Sequence, residues 1–236
     1  MSVGTFVADR RYGILFGTLL LAILGAPFVA MLPVGQGFVV WAILLVLMLA
    51  AANALRESPP GRLALVLGLV LAYAGLLLWD VVAPDRAARV AAQVAGIVFL
   101  AMVAIDIARS VLSAEEVTAD LLLAAASLYL LLGFAWSRVY MLMEVSWPGS
   151  FEFPARLGYV ADSPLAEVSA LVYFSFVTLT TLGYGDVTPV SEAARRVAIA
   201  EAIVGQLFIA ITVARLVGTY AATRRSPPPD DRTRRE

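Results

Sequence analysis

The residues best suited to carry chemistry lie between Ser163 and Pro189, in the stretch SPLAEVSALVYFSFVTLTTLGYGDVTP. Pro164 suits the first position of a helix, where its missing N–H costs nothing, and Ser163 suits the N-cap. The apolar run from Leu165 to about Leu179 is too short to cross a bilayer, so it predicts a re-entrant helix. The Gly-Tyr-Gly sequence that follows permits backbone angles that let successive carbonyls point the same way. Irregular backbone at membrane depth is tolerated only where it lines a cavity or is buried in protein.

The composition places this segment in a membrane. Of the 236 residues, 61% are apolar and 15% are charged, whereas a globular domain is about half apolar and about a quarter charged. A net charge of −1 provides no basic field, so no nucleic-acid partner is expected. Because Cys and His are absent, disulfides, thiol or imidazole catalysis and the usual zinc sites are excluded. A membrane enzyme would need carboxylates such as Glu201 and Asp106, which form no paired motif.

The sequence contains six apolar segments with the length of membrane spans. The first two lie within residues 12–55 and are divided by a turn at 33–37. The other four are 63–82, 89–109, 121–143 and 193–222, with approximate ends. The distribution of arginine in the loops favours both termini in the cytoplasm. The first stretch also resembles a secretory signal, because Arg10 and Arg11 precede it, but it is longer than an ordinary signal core and leads straight into a second span.

The run TLTTLGYGDVTP, residues 178–189, resembles the pore loop of tetrameric potassium channels, whose selectivity filter reads Thr-Val-Gly-Tyr-Gly-Asp. The resemblance is close from Tyr173 to Pro189 and extends in outline to the flanking helices. It implies a filter formed by Thr181, Leu182, Gly183, Tyr184, Gly185 and Asp186. The first four of these would bind K⁺ through their carbonyls, assisted by the Thr181 hydroxyl. One chain supplies too few oxygens to surround an ion, so a homotetramer is implied. No organic cofactor is expected.

The resemblance also implies a set of residues that support the filter, namely Tyr173, Phe174, Val177, Thr178 and Thr180. Leu182 stands where Val is usual, and its side chain is expected to face away from the pore. Phe174 stands where many members have Trp, and it cannot donate the hydrogen bond that such a Trp makes. Val177 stands where some members have a Glu paired with the filter Asp, so Asp186 is expected to lack one familiar partner. A potassium-selective channel, a weakly selective cation channel and a non-conducting membrane sensor or scaffold therefore stay open.

The last span contains the residues expected to form a gate. Gly205 lies close to the position of a hinge glycine in the family, although close helix packing is the alternative explanation. Helical spacing places Gln206, Ile209, Val213 and Val217 on one stripe towards a central cavity. Glu201, one turn before Gly205, is an ionisable residue inside a span and is therefore a candidate functional residue with an unknown partner.

The remaining spans predict no strong voltage sensor. Only Arg86 and Arg89 have the three-residue spacing of gating charges, and arginines at a membrane boundary are expected to be interfacial anchors. The predicted fold is an all-α plasma-membrane protein with six transmembrane helices and one re-entrant pore helix between the fifth and sixth. It divides into a four-helix peripheral bundle (1–117), a pore domain (118–223) and a short, disordered cytoplasmic tail (224–236). The expected partners are three identical subunits and the lipid bilayer, and no soluble partner is indicated.

Overall fold

A computed structural model of the chain describes residues 11–30, 60–83, 85–114, 116–153 and 164–225. Within these ranges the regular secondary structure is helical apart from two very short strands. The elements are α1 (Arg11–Ala30), α2 (Pro60–Val82), α3 (Arg86–Ser113), α4 (Ala119–Ser146), β1 (Phe151–Glu152), α5 (Pro164–Leu179), β2 (Thr188–Pro189) and α6 (Glu192–Arg225). The predicted second span, the N-cap at Ser163 and the tail after Arg225 lie outside the described residues.

Three of the described helices, α3, α4 and α6, are long and apolar enough to cross a membrane. Helices α1 and α2 contain shorter apolar stretches, Tyr12–Gly25 and Ala64–Leu76. The predicted all-helical framework, with helices long and apolar enough to cross a membrane, is therefore confirmed for the described residues. The short α5 also matches the length predicted for a helix that does not cross the bilayer.

Side-chain caps explain why two helices begin earlier than predicted. The Asp85 carboxylate accepts hydrogen bonds from the backbone N–H groups of Ala87 and Ala88, at 3.2 and 3.3 Å. Helix α3 consequently begins at Arg86. The Thr118 hydroxyl accepts a hydrogen bond from the Leu121 N–H at 3.2 Å, and α4 begins at Ala119. Both residues satisfy N–H groups that have no partner inside the helix.

Two buried apolar clusters hold the helices together. The first lies where α1, α2 and α3 meet the first half of α4, and its members are Tyr12, Leu15, Leu19, Val66, Val103, Ala104, Ile107, Val111, Ala124, Ala125, Leu128 and Leu131. The second joins the end of α4 to α5 and the start of α6, and its members are Tyr140, Met141, Met143, Phe151, Leu171, Phe174, Val187, Ala194 and Ala198. The second cluster therefore positions the segment that follows α5.

A two-stranded antiparallel pairing connects the end of α4 with the residues that follow the Gly-Tyr-Gly sequence. Phe151 pairs with Pro189 and Glu152 with Thr188. The Glu144 carboxylate supports the turn into β1 by accepting hydrogen bonds from the N–H groups of Gly149 and Phe151, at 2.6 and 3.1 Å. The sequence pattern predicted no strand here, because a two-residue strand has no periodicity of its own.

Candidate filter and inner-helix site

The backbone after α5 is anchored on the last turn of that helix. The N–H groups of Leu182 and Gly183 both donate to the Val177 carbonyl, at 2.9 and 3.3 Å, and the Thr181 N–H donates to the Thr178 carbonyl at 2.9 Å. These bonds occupy carbonyls that a helix end leaves unpaired. The Val177 side chain cannot replace a glutamate, but its carbonyl holds the segment that begins the Gly-Tyr-Gly sequence.

Positive φ recurs at every second residue of this segment. The angles are 59° at Thr181, 58° at Gly183 and 75° at Gly185, whereas neither Leu182 nor Tyr184 has a positive φ. The two glycines adopt the backbone that their residue type permits. A positive φ was not predicted for Thr181, because a β-branched residue rarely adopts one. Such strain is typical of functional sites.

The same segment lies on the surface of the single chain. The side chains of Leu182 and Tyr184 are 55% and 67% exposed. A Cβ placed on Gly183 or Gly185 would meet no atom within 4 Å. The described residues of one chain therefore do not enclose this segment.

Asp186 has a partner that the sequence did not reveal. The Tyr173 hydroxyl donates to Oδ2 of Asp186 at 2.7 Å, and the N–H of Val187 donates to Oδ1 at 3.0 Å. The hydrogen bond from Tyr173 holds the pKa of Asp186 below its usual value of 3.8. Val177 cannot serve as the partner that a glutamate supplies in some members of the family, but Tyr173 ties Asp186 to α5.

Phe174 packs instead of hydrogen-bonding, as its side chain requires. It is buried, and its ring lies 5.0 Å from the ring of Tyr140 and 5.4 Å from that of Phe151, both edge to face. Thr180 donates its hydroxyl hydrogen to the Phe176 carbonyl at 2.7 Å, inside the last turn of α5.

Gly205 lies against the carboxyl end of α5. A Cβ at this position would overlap the Leu179 carbonyl oxygen and lie 2.9 Å from Cδ1 of Leu179. The Tyr129 hydroxyl donates to the same carbonyl at 3.2 Å. Close packing, the alternative to a hinge, thus accounts for a glycine at position 205 in this structure.

The other residues of the expected cavity stripe lie on one exposed face of α6. Gln206 is nearest the filter candidate, since its Nε2 lies 3.4 Å from the Thr181 hydroxyl oxygen, to which it donates. Ile209, Val213 and Val217 are exposed apolar residues further along the same face. The structure therefore brings Gln206 to the filter candidate and leaves the other three uncovered by the described part of the chain.

Glu201 is fully buried between three helices. Its side chain accepts a hydrogen bond from the Tyr140 hydroxyl on α4 and lies 2.5 Å from the Ser175 hydroxyl on α5. The unknown partners of this carboxyl group are thus identified as two hydroxyl groups.

Two arginines bind the carboxyl ends of neighbouring helices. Arg215 on α6 donates to the carbonyls of Leu112 and Ala114, the second at 3.4 Å, at the end of α3. Arg86 donates to the Ser146 carbonyl at the end of α4. A cation is favourable at a helix carboxyl end, where unpaired carbonyls carry partial negative charge. Arg215 was not assigned a role from the sequence, where its signal is a charge within the apolar stretch of α6 that follows Glu201.

The long helix α4, the short helix α5 followed by a segment of alternating positive φ, and the long helix α6 together resemble a membrane protein with a filter-like loop. In agreement with this class, residues 120–221 match the family described as "Ion channel". That range contains α4, α5, the filter candidate and most of α6.

Three individual proteins are similar to this chain over alignments of 88 to 90 residues. The chain is 39% identical over 90 residues to protein LctB of Bacillus caldotenax, covering 38% of this chain and 63% of that protein. It is 39% identical over 88 residues to protein LctB of Geobacillus stearothermophilus, with 37% and 62% covered. It is 33% identical over 88 residues to two pore potassium channel c of Oryza sativa subsp. japonica, with 36% and 18% covered. No solved structure matches the chain.

The chain thus spans less than two thirds of the length of each of these relatives. The family match and the named channel relative are to channel proteins and not to enzymes.

Proposed function

We propose that the chain is one subunit of a potassium-selective channel that conducts passively through a homotetrameric pore. The observation that carries the proposal is the segment from Thr181 to Asp186, where positive φ alternates along the backbone and the Val177 carbonyl anchors its first residues. Alternation between positive and negative φ can turn successive N–H groups to one side of a chain, which leaves the carbonyls for the other side. Carbonyls aligned in this way replace the hydration shell of K⁺.

The exposure of the filter candidate supports a tetramer. Its residues are uncovered in one chain, and rings of oxygens around an ion require several chains about an axis. The apolar face of α6 formed by Ile209, Val213 and Val217 then lines the pore below the filter. In this assembly each chain contributes six transmembrane helices, with both termini in the cytoplasm and the whole in the plasma membrane.

The direction of α5 favours a cation. This helix ends at Leu179, immediately before Thr181, so its carboxyl end and the partial negative charge there face the start of the filter. Arg86 acts as an anchor and not as a gating charge, because its side chain is bound to the carbonyl of Ser146 at the end of α4. The channel is therefore expected not to be strongly voltage-gated. Opening then takes place at the apolar stripe of α6 without a large charge movement.

Reversal potentials of the purified protein in planar bilayers test this function. With a tenfold potassium gradient balanced by sodium, a selective channel should reverse at about 59 mV, the value for one charge per tenfold ratio. Gly183→Ala should abolish the current, because a left-handed backbone disfavours a residue with Cβ by about 1–2 kcal/mol and the strain is repeated in each subunit. Gly68→Ala is the matched control, since Gly68 is a helical glycine on α2 with open space around it.

The outcomes separate the alternatives. A reversal near zero with robust current identifies a weakly selective cation channel. Thermal stabilisation by potassium but not by sodium supports a formed filter even when the pore is closed. Absence of both current and potassium-dependent stabilisation identifies a non-conducting sensor or scaffold. Normal current through Gly183→Ala would place the pore elsewhere in the protein.

A further inference from the structure

The carboxyl group of Glu201 is the point at which α4, α5 and α6 are joined by polar contacts. Tyr140 on α4 donates its hydroxyl hydrogen to Oε2 of Glu201. The hydroxyl oxygen of Ser175 on α5 lies 2.5 Å from Oε1. All three residues have 0% exposure, so water from outside the protein does not reach these contacts.

Counting hydrogen atoms assigns the protonation of Glu201. The Ser175 hydroxyl oxygen lies 2.7 Å from the Gly133 carbonyl as well as 2.5 Å from Oε1 of Glu201. A serine hydroxyl has one hydrogen, and a carbonyl or carboxylate oxygen has none. With an ionised Glu201, one of these two contacts would join two oxygens without a hydrogen between them.

A proton on Oε1 gives each contact its own hydrogen. Glu201 then donates to Ser175, Ser175 donates to the Gly133 carbonyl, and Tyr140 donates to Oε2. Among the described residues no arginine lies within ion-pair distance of Glu201, and an unpaired buried charge is very unfavourable. The contacts and the burial thus agree on a neutral carboxyl group.

We propose that Glu201 is a neutral, hydrogen-bond-donating bridge that holds α5 against α6 and so positions the filter. This proposal rests on the proposed channel function. Glu201 is a positioning residue, because its hydrogen bonds join it to Ser175 on α5 and Tyr140 on α4, neither of which belongs to the filter. Its effect reaches the filter along α5, whose carbonyls at Val177 and Thr178 hold the backbone of Thr181 to Gly183.

Two kinds of variant separate a neutral bridge from an ionised one. Glu201→Gln keeps a donor towards Ser175 and an acceptor towards Tyr140, so it should retain the wild-type potassium-to-sodium permeability ratio within about twofold. Glu201→Leu and Ser175→Ala each leave a buried polar group without its partner, which is unfavourable by about one power of ten or more. Both variants should lower the potassium-to-sodium permeability ratio. Both should also weaken the apparent affinity for potassium, read from thermal stabilisation, by about tenfold.

A spectroscopic measurement tests the protonation independently of conduction. Infrared difference spectra of the full chain in lipid should show the carbonyl stretch of a protonated carboxyl that is missing in Glu201→Gln. The titratable groups that face Glu201 from the described part of α4 are Tyr140 and Tyr129. Neither titrates near neutral pH in its ordinary form, so ionisation of a neighbouring group should not alter the band between pH about 5 and about 7.

Glu192→Gln is the matched control on the same helix, because Glu192 is exposed and paired with Arg196 at 2.9 Å. It should leave both the protonated-carboxyl band and the selectivity unchanged. A wild-type protein that carries no current and is not stabilised by potassium, but still shows the protonated band, would contradict the proposed function and leave the neutral bridge intact. Conversely, a selective wild-type channel without that band, or a Glu201→Gln variant as impaired as Glu201→Leu, overturns the neutral bridge.

Discussion

Gly205→Ala is the substitution for which the structure predicts the sharpest response. The added methyl group would overlap the carbonyl oxygen of Leu179 and lie 2.9 Å from its Cδ1. The side-chain contact can be relieved by a rotamer change. The carbonyl belongs to the backbone at the end of α5 and also accepts the Tyr129 hydroxyl bond, so relief there requires the two helices to separate.

The expected size combines two opposing effects. Alanine is more favourable than glycine inside a helix by about 1 kcal/mol. Overpacking a fitted contact is unfavourable by about 1–3 kcal/mol. The net destabilisation is therefore about 0–2 kcal/mol per subunit, towards the upper end because the obstructing atom is backbone, and a tetramer would accumulate it four times. The separation of α5 from α6 should also disturb the filter two residues after Leu179.

Thermal unfolding of the purified protein in lipid or detergent measures the stability, and the reversal potential measures the filter. Gly218→Ala is the control on the same helix, because a Cβ there meets nothing within 4 Å of the chain. It should be neutral or stabilising by about 1 kcal/mol. If Gly205→Ala is as stable and selective as Gly218→Ala and changes only the open probability, Gly205 acts as a hinge and the packing explanation is wrong.

Three further substitutions test separate contacts. Tyr173→Phe removes the hydrogen bond that depresses the pKa of Asp186. A depressed pKa stabilises the folded protein at pH values above the usual 3.8, and this stabilisation is lost as the pH falls through the lower native pKa. Thermal unfolding should therefore show the wild-type protein as more stable than the variant at neutral pH and equally stable in acid. Gly133→Ala would bring a methyl group to 2.5 Å from the Phe176 ring and should lower the unfolding free energy by up to about 2 kcal/mol, after the helix gain is subtracted. Arg215→Met should weaken the end of α3 by about 0.3–1 kcal/mol, seen as faster amide hydrogen exchange there.

Controls and contrary results are specific to each contact. Gly75→Ala, at a helical glycine in open space, should be tolerated, and equal tolerance of Gly133→Ala would contradict the packing against Phe176. Arg196→Met removes an exposed ion pair of little energetic value, and exchange at the end of α3 that accelerates equally in both variants would exclude a local role for Arg215. An unchanged pH profile in Tyr173→Phe would mean that Asp186 does not depend on Tyr173.

Local features of the chain were predictable from sequence. The span of α5 follows from Pro164 at its start, the apolar run and the glycines after it, and the structure gives the same limits from Pro164 to Leu179. The positive φ of Gly183 and Gly185 follows from residue type. The helix ends differed by a few residues, because charge marks the edge of an apolar run whereas a cap such as Asp85 sets the first helical turn.

Contacts between distant residues were not predictable. Tyr173 and Asp186 meet because α5 and the filter fold back on one another, and no spacing rule links residues 13 positions apart. The partners of Glu201 come from two other helices. Thr181 adopts a positive φ against its residue preference, since the anchoring at Val177 outweighs the local cost.

The contacts between α5 and α6 show how Gly205 can be both a close-packing position and the place where a bend begins. Ser175 faces Glu201, and Leu179, four residues later, faces Gly205, which is four residues after Glu201. Residues four apart lie on the same helical face, so the two helices are joined over one full turn by a hydrogen bond at one end and backbone contact at the other. The part of α6 that precedes Gly205 must therefore move with the filter support. Beyond Gly205 the apolar stripe is exposed, so we expect a bend that opens α6 to lie at Gly205 or on its carboxyl side. Such a bend must also shift or break the contact of Arg215 with the end of α3.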